Sequence, residues 1–196
     1  MANTSATGGF LNVVNHPLSQ EQIEALLFPI ITNLTGLDES HVFVAYQQTP
    51  PAAPKLEEDW VGYYLSMMGA DNFPQVYHDP SGEGTDIEVE NVHWNWVMEF
   101  VGPNSVHLAR QLRASIYIEQ NRPMELYNNG LAIKYADSLK FFPYVENGKW
   151  LKKSYLRIKI DQWCPYRFDV LNLLSAHGRG VTDEGLEIYF DTNNIT

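Results

Sequence analysis

The residues of this sequence with the greatest chemical capacity are its six histidines, its one cysteine and a run of carboxylates. The histidines stand at positions 16, 41, 78, 93, 107 and 177. A structural zinc ion draws on four closely spaced ligands, and no histidine pair here has helical or strand spacing with a third ligand nearby. Cys164 sits in WCPY between two predicted strands. A nucleophilic cysteine needs a helix N-terminus or a cationic neighbour to hold its thiolate; the sequence offers neither, and Cys164 reads as a structural thiol. Asp86, Glu88 and Glu90 alternate onto one strand face, with enough charge for a divalent ion, and read as a solvated acidic face. No GxSxG, HExxH or hydrolase carboxylate pattern appears. TSATGGFL, residues 4–11, has the glycines of a phosphate loop without the strand before it, the helix after it or the lysine at its turn. These residues point away from an enzyme, with no catalytic set, no cofactor and no metal.

Composition sets the frame for the elements that carry these residues. The chain has 196 residues, 44% of them hydrophobic, which is enough for one domain with a real core. We expect a single domain over residues 19–196 behind an N-terminal arm of residues 1–18. A single cysteine excludes an internal disulfide and fits a reducing compartment. There is no charged start with a long apolar core and no run of the roughly 20 apolar residues that span a bilayer. A soluble protein, intracellular where it is made and without a membrane partner, is the expectation. The net charge of −11 argues against wrapping nucleic acid, which needs clustered lysine and arginine. One basic stretch, Lys149, Lys152, Lys153, Arg157 and Lys159, stands out from the acidic background.

Periodicity then orders the chain. From Ser19, SQEQIEALLFPIITNLTG reads as a helix with a capping box at Ser19 and Gln22 and a stripe of Ile23, Leu26, Leu27, Ile30 and Ile31. Pro29 should kink it and Gly36 should end it. HVFVAYQ (41–47) and WVGYYLSMM (60–68) are strand candidates, joined by the proline-rich loop QTPPAAP. Residues 73–84 read as a long hairpin loop. TDIEVENVHWNWVMEFVG (85–102) alternates, with Val92, Trp94, Trp96, Met98 and Phe100 on one face and His93, Asn95 and Glu99 on the other. GPNSVHLARQLRASIYIEQNR (102–122) reads as a second long helix, its stripe Val106, Ala109, Leu112, Arg113 and Ile116. After a turn at PMELYNNG, strands are expected at 131–135, 155–162, 168–174 and 186–190. The fold class is α+β: a largely antiparallel β-sheet with two main α-helices packed on one face, plus an extended N-terminal arm.

Function then falls to surfaces. Trp60 and Trp150 open strands beside loops and are expected interface anchors. Tyr155, Arg157 and Lys159 share a strand face opposite Leu156, Ile158 and Ile160, and with Lys153 they form one docking element. Pro50, Pro51 and Pro54, with Gln48, stiffen a second. The arm, with Thr7, Gly8, Gly9 and Phe10, is suited to ordering on a neighbour, and Arg113 and Arg122 are expected at the helix end of an interface.

Several of these segments, taken together, resemble the neck or tail terminator proteins of tailed bacteriophages. They are TSATGGFL, LTGLDESHVFVAYQQTPPAAP (34–54) followed by Trp60, EFVGPNSVHLARQLRASIYIEQNR (99–122) and NGKWLKKSYLRIKI (147–160). The family turn Phe-Tyr-Gly-Pro is here Phe100-Val101-Gly102-Pro103, and the closing Gln120-Asn121-Arg122 is intact. The chain departs from the pattern at Ala45-Tyr46, where the family tends to have Arg and Trp, and at Lys153, where Arg is usual. The resemblance implies a structural virion protein, made in the host cytoplasm and placed at the neck. It implies a homo-oligomeric ring, a hexamer, that caps the tail tube and sheath proteins and joins them to the head–tail connector or adaptor, with genomic DNA only passing through the lumen. The alternatives are another head-completion or collar ring of the neck and, from a different class, an aromatic-surface carbohydrate-binding module or an enzyme.

Overall fold

The computed structural model describes residues 7–47, 49, 52, 54, 55, 57–146 and 148–170, and the backbone of 177–181 and 187–191. Gln48, Pro50 and Pro51 of the proline-rich loop, residues 1–6 of the arm and the expected strand residues Leu171–Leu174 lie outside these. The fold is α+β, a mixed and mostly antiparallel sheet with three helices among the described residues. The chain divides into two compact units, one made of residues 16–75 and 89–165, the other of residues 1–15, 76–88 and 166–196.

In the larger unit, helix α1 (Gln20–Thr35) begins where its local chemistry dictates. Ser19 Oγ accepts from the Gln22 backbone N–H at 3.3 Å and Gln22 Oε1 accepts from the Ser19 N–H at 2.8 Å, a complete capping box. Gly36, at φ 74°, closes the helix in the left-handed conformation, its N–H donating to Thr32 O at 2.8 Å. Ile23, Leu27, Ile30 and Ile31 are buried as the stripe requires, Leu26 only half so. Glu24 is buried with them, and its Oε1 accepts from the Leu65 N–H and from Gln20 Nε2, both at 3.0 Å. A buried carboxylate supplied with two donors in this way fastens the helix to the sheet.

Strand β1 (Val42–Val44) is shorter than the seven-residue stretch expected from alternation. A 3-10 turn over Glu39–His41 takes its start, and Tyr46 at φ 64° breaks its end. Strands β2 (Trp60–Ala70), β4 (Thr85–Val101), β5 (Leu131–Ala136) and β9 (Lys153–Asp169) build the sheet in the order β1-β2-β4-β9-β5, with β1 parallel to β2, and with β6 (Lys140–Phe141) also on β9. Strands β7 (Tyr144–Glu146) and β8 (Lys149–Leu151) form a separate hairpin. Val92, Trp94, Trp96, Met98 and Phe100 face the core together with Leu156, Ile158 and Ile160. Trp94 Nε1–H donates to Gln162 Oε1 at 2.9 Å, so that indole is buried without an unpaired donor.

Strand β9 runs unbroken where a gap between 162 and 168 was expected, and Cys164 is therefore a buried strand residue and not part of a connection. Pro165 fits because the β5–β9 ladder ends with Leu131 opposite Gln162, so a residue without an N–H at 165 interrupts no bond of that ladder.

Helix α2 (Ser105–Ser115) is shorter than the 102–122 segment expected, a 3-10 turn over Glu119–Asn121 replacing its last part. Its buried stripe is Ser105, Leu108, Ala109 and Leu112, with Ile116 just beyond, so Leu108 takes the place assigned to Val106, which is half-exposed. The end is closed from the side chains: Asn121 Nδ2 donates to Ser115 O at 3.0 Å and Arg122 Nε to Ile116 O at 2.8 Å, supplying donors to carbonyls that a helix end leaves open. A one-turn helix, α3 (Met124–Asn128), leads into β5.

In the smaller unit, β3 (Gln75–Asp79) pairs with β4 inside the stretch expected to be loop. Pro74 and Pro80 bracket it without entering it. Val13 bridges Phe168, and Arg167 N–H donates to Asn15 Oδ1 at 2.8 Å, holding this part of the N-terminal segment to the end of β9. Strands β10 (His177–Val181) and β11 (Glu187–Asp191) form an antiparallel pair; β10 was not expected, and β11 matches the strand expected at 186–190 over its described residues.

Candidate interaction surfaces

The larger unit's sheet has a second face, opposite the core, and its composition follows from the register. Tyr64 lies opposite Val97, Gly62 opposite Glu99, Tyr135 opposite Lys159 and Lys140 opposite Tyr155. Val97 alternates away from the core yet is only 2% exposed, and Tyr64 lies opposite it in the ladder. Tyr46 meets Tyr64 edge-on at 5.0 Å, and Phe43 stacks on Trp60 at 5.2 Å. Burial, followed by the proximity of Tyr155 and Tyr46, pushes the Tyr64 phenol above its ordinary range.

Several charges on this face are paired within the chain. Lys153 Nζ is 2.7 Å from Glu99, Arg157 pairs with Asp137, and Lys149 Nζ, on β8, is 2.8 Å from Glu57. The basic stretch read from the sequence is thus largely spent on neighbouring carboxylates. Lys159 differs: its ammonium lies 5.2 Å from the centroid of the Tyr135 ring, a cation–π contact and not an ion pair. Reversing Lys153, Arg157 and Lys159 together would set carboxylates against Glu99 and Asp137. Lys159→Glu alone is the substitution that changes the surface and spares the ion pairs.

At the far end of the same face His93 joins three strands. Its Nδ1 is 2.8 Å from Asp161 Oδ1, its Nε2 is 3.4 Å from Asp71 Oδ1, and Lys134 Nζ completes the group 3.0 Å from Asp161. The hydrogen bond to Asp161 raises the His93 pKa against the opposing effect of burial. Burial works to raise Asp161 as well, but the hydrogen bonds from His93 and Lys134 outweigh it and hold that carboxyl below its ordinary value. An imidazole with a raised folded value stabilises fully below its unfolded pKa and loses that contribution as pH rises through the folded one; a depressed carboxylate loses its contribution as pH falls through its own. Comparing thermal melts of the wild type and His93→Gln across pH should therefore reveal a stability difference greatest in the mildly acidic range and fading above neutrality. A difference independent of pH would contradict the pairing. With His93 more than a third exposed, the effect should be small.

Two β-bulges flank this cluster, one at Met68 in β2 and one at Lys134 in β5. Bulges twist a strand and re-aim its side chains. Between them lies an open groove of about 660 Å³, lined by Met68 and Gly69, by His93, by Lys134 and Tyr135, and by Lys159 and Asp161. At the other end of the sheet the β7–β8 hairpin carries Trp150, 75% exposed, opposite the exposed Val145, with Phe141 and Phe142 exposed nearby.

The other residues singled out from sequence have the following places. Thr7, Gly8, Gly9 and Phe10 are exposed, Pro54 and Trp60 are half-buried, and Arg113 Nε donates to Asp137 O at 2.8 Å. Arg113 and Arg122 each direct a guanidinium to a backbone carbonyl of their own chain. Asp86 is bound to His78 at 2.7 Å, and among the described residues no group of His, Cys, Asp and Glu has the arrangement of a metal site. Burial, reinforced by Glu90, pushes the Cys164 thiol up to about 11. A thiol so raised is a poor nucleophile. Cys164 is expected to resist a thiol reagent at pH 8 in the folded protein and to react on unfolding; rapid labelling of the native chain would contradict this. Sequence reasoning missed the His93–Asp161–Lys134 group and the Tyr46–Tyr64 contact, because both depend on which segments lie side by side.

What these elements define is a protein whose recognisable features are surfaces carried on an α+β sheet. The sequence matches the family model of the phage neck terminator proteins over residues 21–160, the stretch from α1 into β9, and the chain belongs to that family. No curated protein matches it. It is accordingly a bacteriophage structural protein, a virion component of the neck that associates with other tail and head proteins. No helix among the described residues is long and apolar enough to cross a membrane.

Proposed function

We propose that copies of this chain close into a ring, a hexamer, at the phage neck, where the ring caps the tail tube and sheath and joins them to the head–tail connector while DNA passes through the lumen. The observation that carries this reading is the family match, which takes in both long helices and most of the sheet, including the outer face and the β7–β8 hairpin. Electrostatics supports it. A chain of net charge −11 repels its own copies, and that repulsion is weakest where acidic groups are already paired. The outer face offers this, with Glu99, Asp137 and Asp161 each bound to a cation of the same chain.

The docking elements in this reading are the arm from Thr7 to Phe10, the proline-rich loop through Pro54, the face bearing Lys153, Arg157 and Lys159, and Trp150. A phage lacking the chain should accumulate filled heads separate from tails of irregular length. Supplying the purified protein to the separated parts should restore joined particles. Joined, infectious particles made without the chain would refute the reading. Heads that leak DNA beside tails of normal, closed length would instead assign the ring to head completion.

A further inference from the structure

We infer that neighbouring copies join head to tail by seating Trp150 of one copy in the His93 groove of the next. This rests on the ring reading above and specifies which surfaces close it. The knob and the hole lie at opposite ends of one sheet. The hairpin residues Trp150 and Leu151 border Gly102 at the end of β4, whereas His93 lies nine residues earlier in that strand, about 30 Å away at ~3.3 Å per residue. A protruding element at one end and a receptive one at the other is the arrangement that makes a heterologous contact, which repeats from copy to copy and closes when the rotation permits.

The chemistry of the two ends matches. Trp150 is 75% exposed, an unusual state for an indole, and tryptophans are the commonest interface anchors when a pocket receives them. The groove, about 660 Å³, is ample for one indole with Val145 beside it. Its lining includes Met68, a thioether suited to an aromatic ring, and Lys134 and Lys159, cations of the kind that pair with a ring face. Lys159 is the cation of this face held by a ring and not by a carboxylate, and Glu146 at the turn of the hairpin supplies an opposite charge. The exposed apolar side chain and the lysine without a carboxylate partner are thereby brought into one contact.

Cysteine pairs test this in assembled virions, since native Cys164 is buried and silent. The double variants Val145→Cys with Met68→Cys, and Val145→Cys with Tyr135→Cys, keep Trp150 and alter only exposed side chains. On mild oxidation at least one should give a ladder of disulfide-linked chains, and the single-cysteine variants none. Lys159→Glu added to the linking pair should abolish most of the ladder. If neither pair links while an amine-reactive reagent still produces multimers of the chain in the same particles, the ring stands and this contact is wrong. If neither chemistry yields multimers, the ring reading is overturned and this inference with it.

Discussion

Gly102→Ala should destabilise the chain by ~3 kcal/mol or more, combining the strain of a disallowed backbone with the displacement of packed atoms. Gly102 has φ 123°, a region in which residues with a Cβ are strained. A Cβ built there would stand 2.5 Å from Asp59 Oδ1 and 2.7 Å from both Asp59 Cα and Glu58 O. Two of those three atoms are backbone and cannot rotate away. Asp59 is not free to move either, since its Oδ1 accepts from the Asn104 N–H at 2.7 Å and its Oδ2 from Asn104 Nδ2 at 2.9 Å, which together hold the start of α2. Gly102 N–H also donates to Lys152 O at 3.1 Å. The substitution thus disturbs the entry to α2, the segment before β2 and the approach to β9 at once. Urea denaturation monitored by tryptophan fluorescence should give a markedly lower midpoint. A loss under 1 kcal/mol would show that the turn tolerates a side chain, contrary to this geometry.

Leu112→Ala should cost ~2–5 kcal/mol, the range for a fully buried leucine whose cavity closes only in part. Leu112 is completely buried on the inner stripe of α2, between Leu108 and Ile116. Val106 provides the internal comparison. It stands on the same helix but is half-exposed, so Val106→Ala should cost well under half as much. Equal costs at the two positions, by thermal melts or denaturant, would mean that the buried stripe has been assigned to the wrong residues.

The parts of the fold legible in the sequence are those fixed by local chemistry. The limits of α1 follow from Ser19, Gln22 and Gly36, whose hydrogen bonds stay within a few residues. The inner face of β4 is readable because Val92 to Phe100 alternate without interruption. Other features depend on partners remote in sequence. The C-terminal shortening of α2 places a succession of bulky residues, Ile116-Tyr117-Ile118, where Tyr117 turns its hydroxyl to the backbone of Ala136, accepting from its N–H at 3.0 Å. The length of β9 could not be read because Pro165 is a strand breaker except where one neighbouring strand has already ended. The short β3 looked like loop because the prolines at its ends punctuate it.

The candidate surfaces divide in the same way. Trp150, Lys153, Arg157 and Lys159 were identifiable from residue type and alternation, and the structure puts the last three on one strand, β9. Alternation could not reveal that Lys153 and Arg157 are bound to Glu99 and Asp137, residues 54 and 20 positions away in sequence. Nor could it reveal the groove, which needs two bulges in different strands to fall at the same level as His93 and Asp161. The same holds for Arg122, an expected interface residue from its place at the end of a helix: alternation could not reveal that its Nε donates to the carbonyl of Ile116, just past the end of α2.

If copies of this chain close into a ring at the neck, as proposed, reconstruction of the neck region of intact virions by electron cryomicroscopy will reveal it. The expected result is a closed ring of copies of this chain between the last tail-tube ring and the connector, with the β7–β8 hairpin of each copy against the outer sheet face of the next. A neck in which the chain is present as isolated copies that do not touch, or in which that ring is built of a different protein, would contradict it.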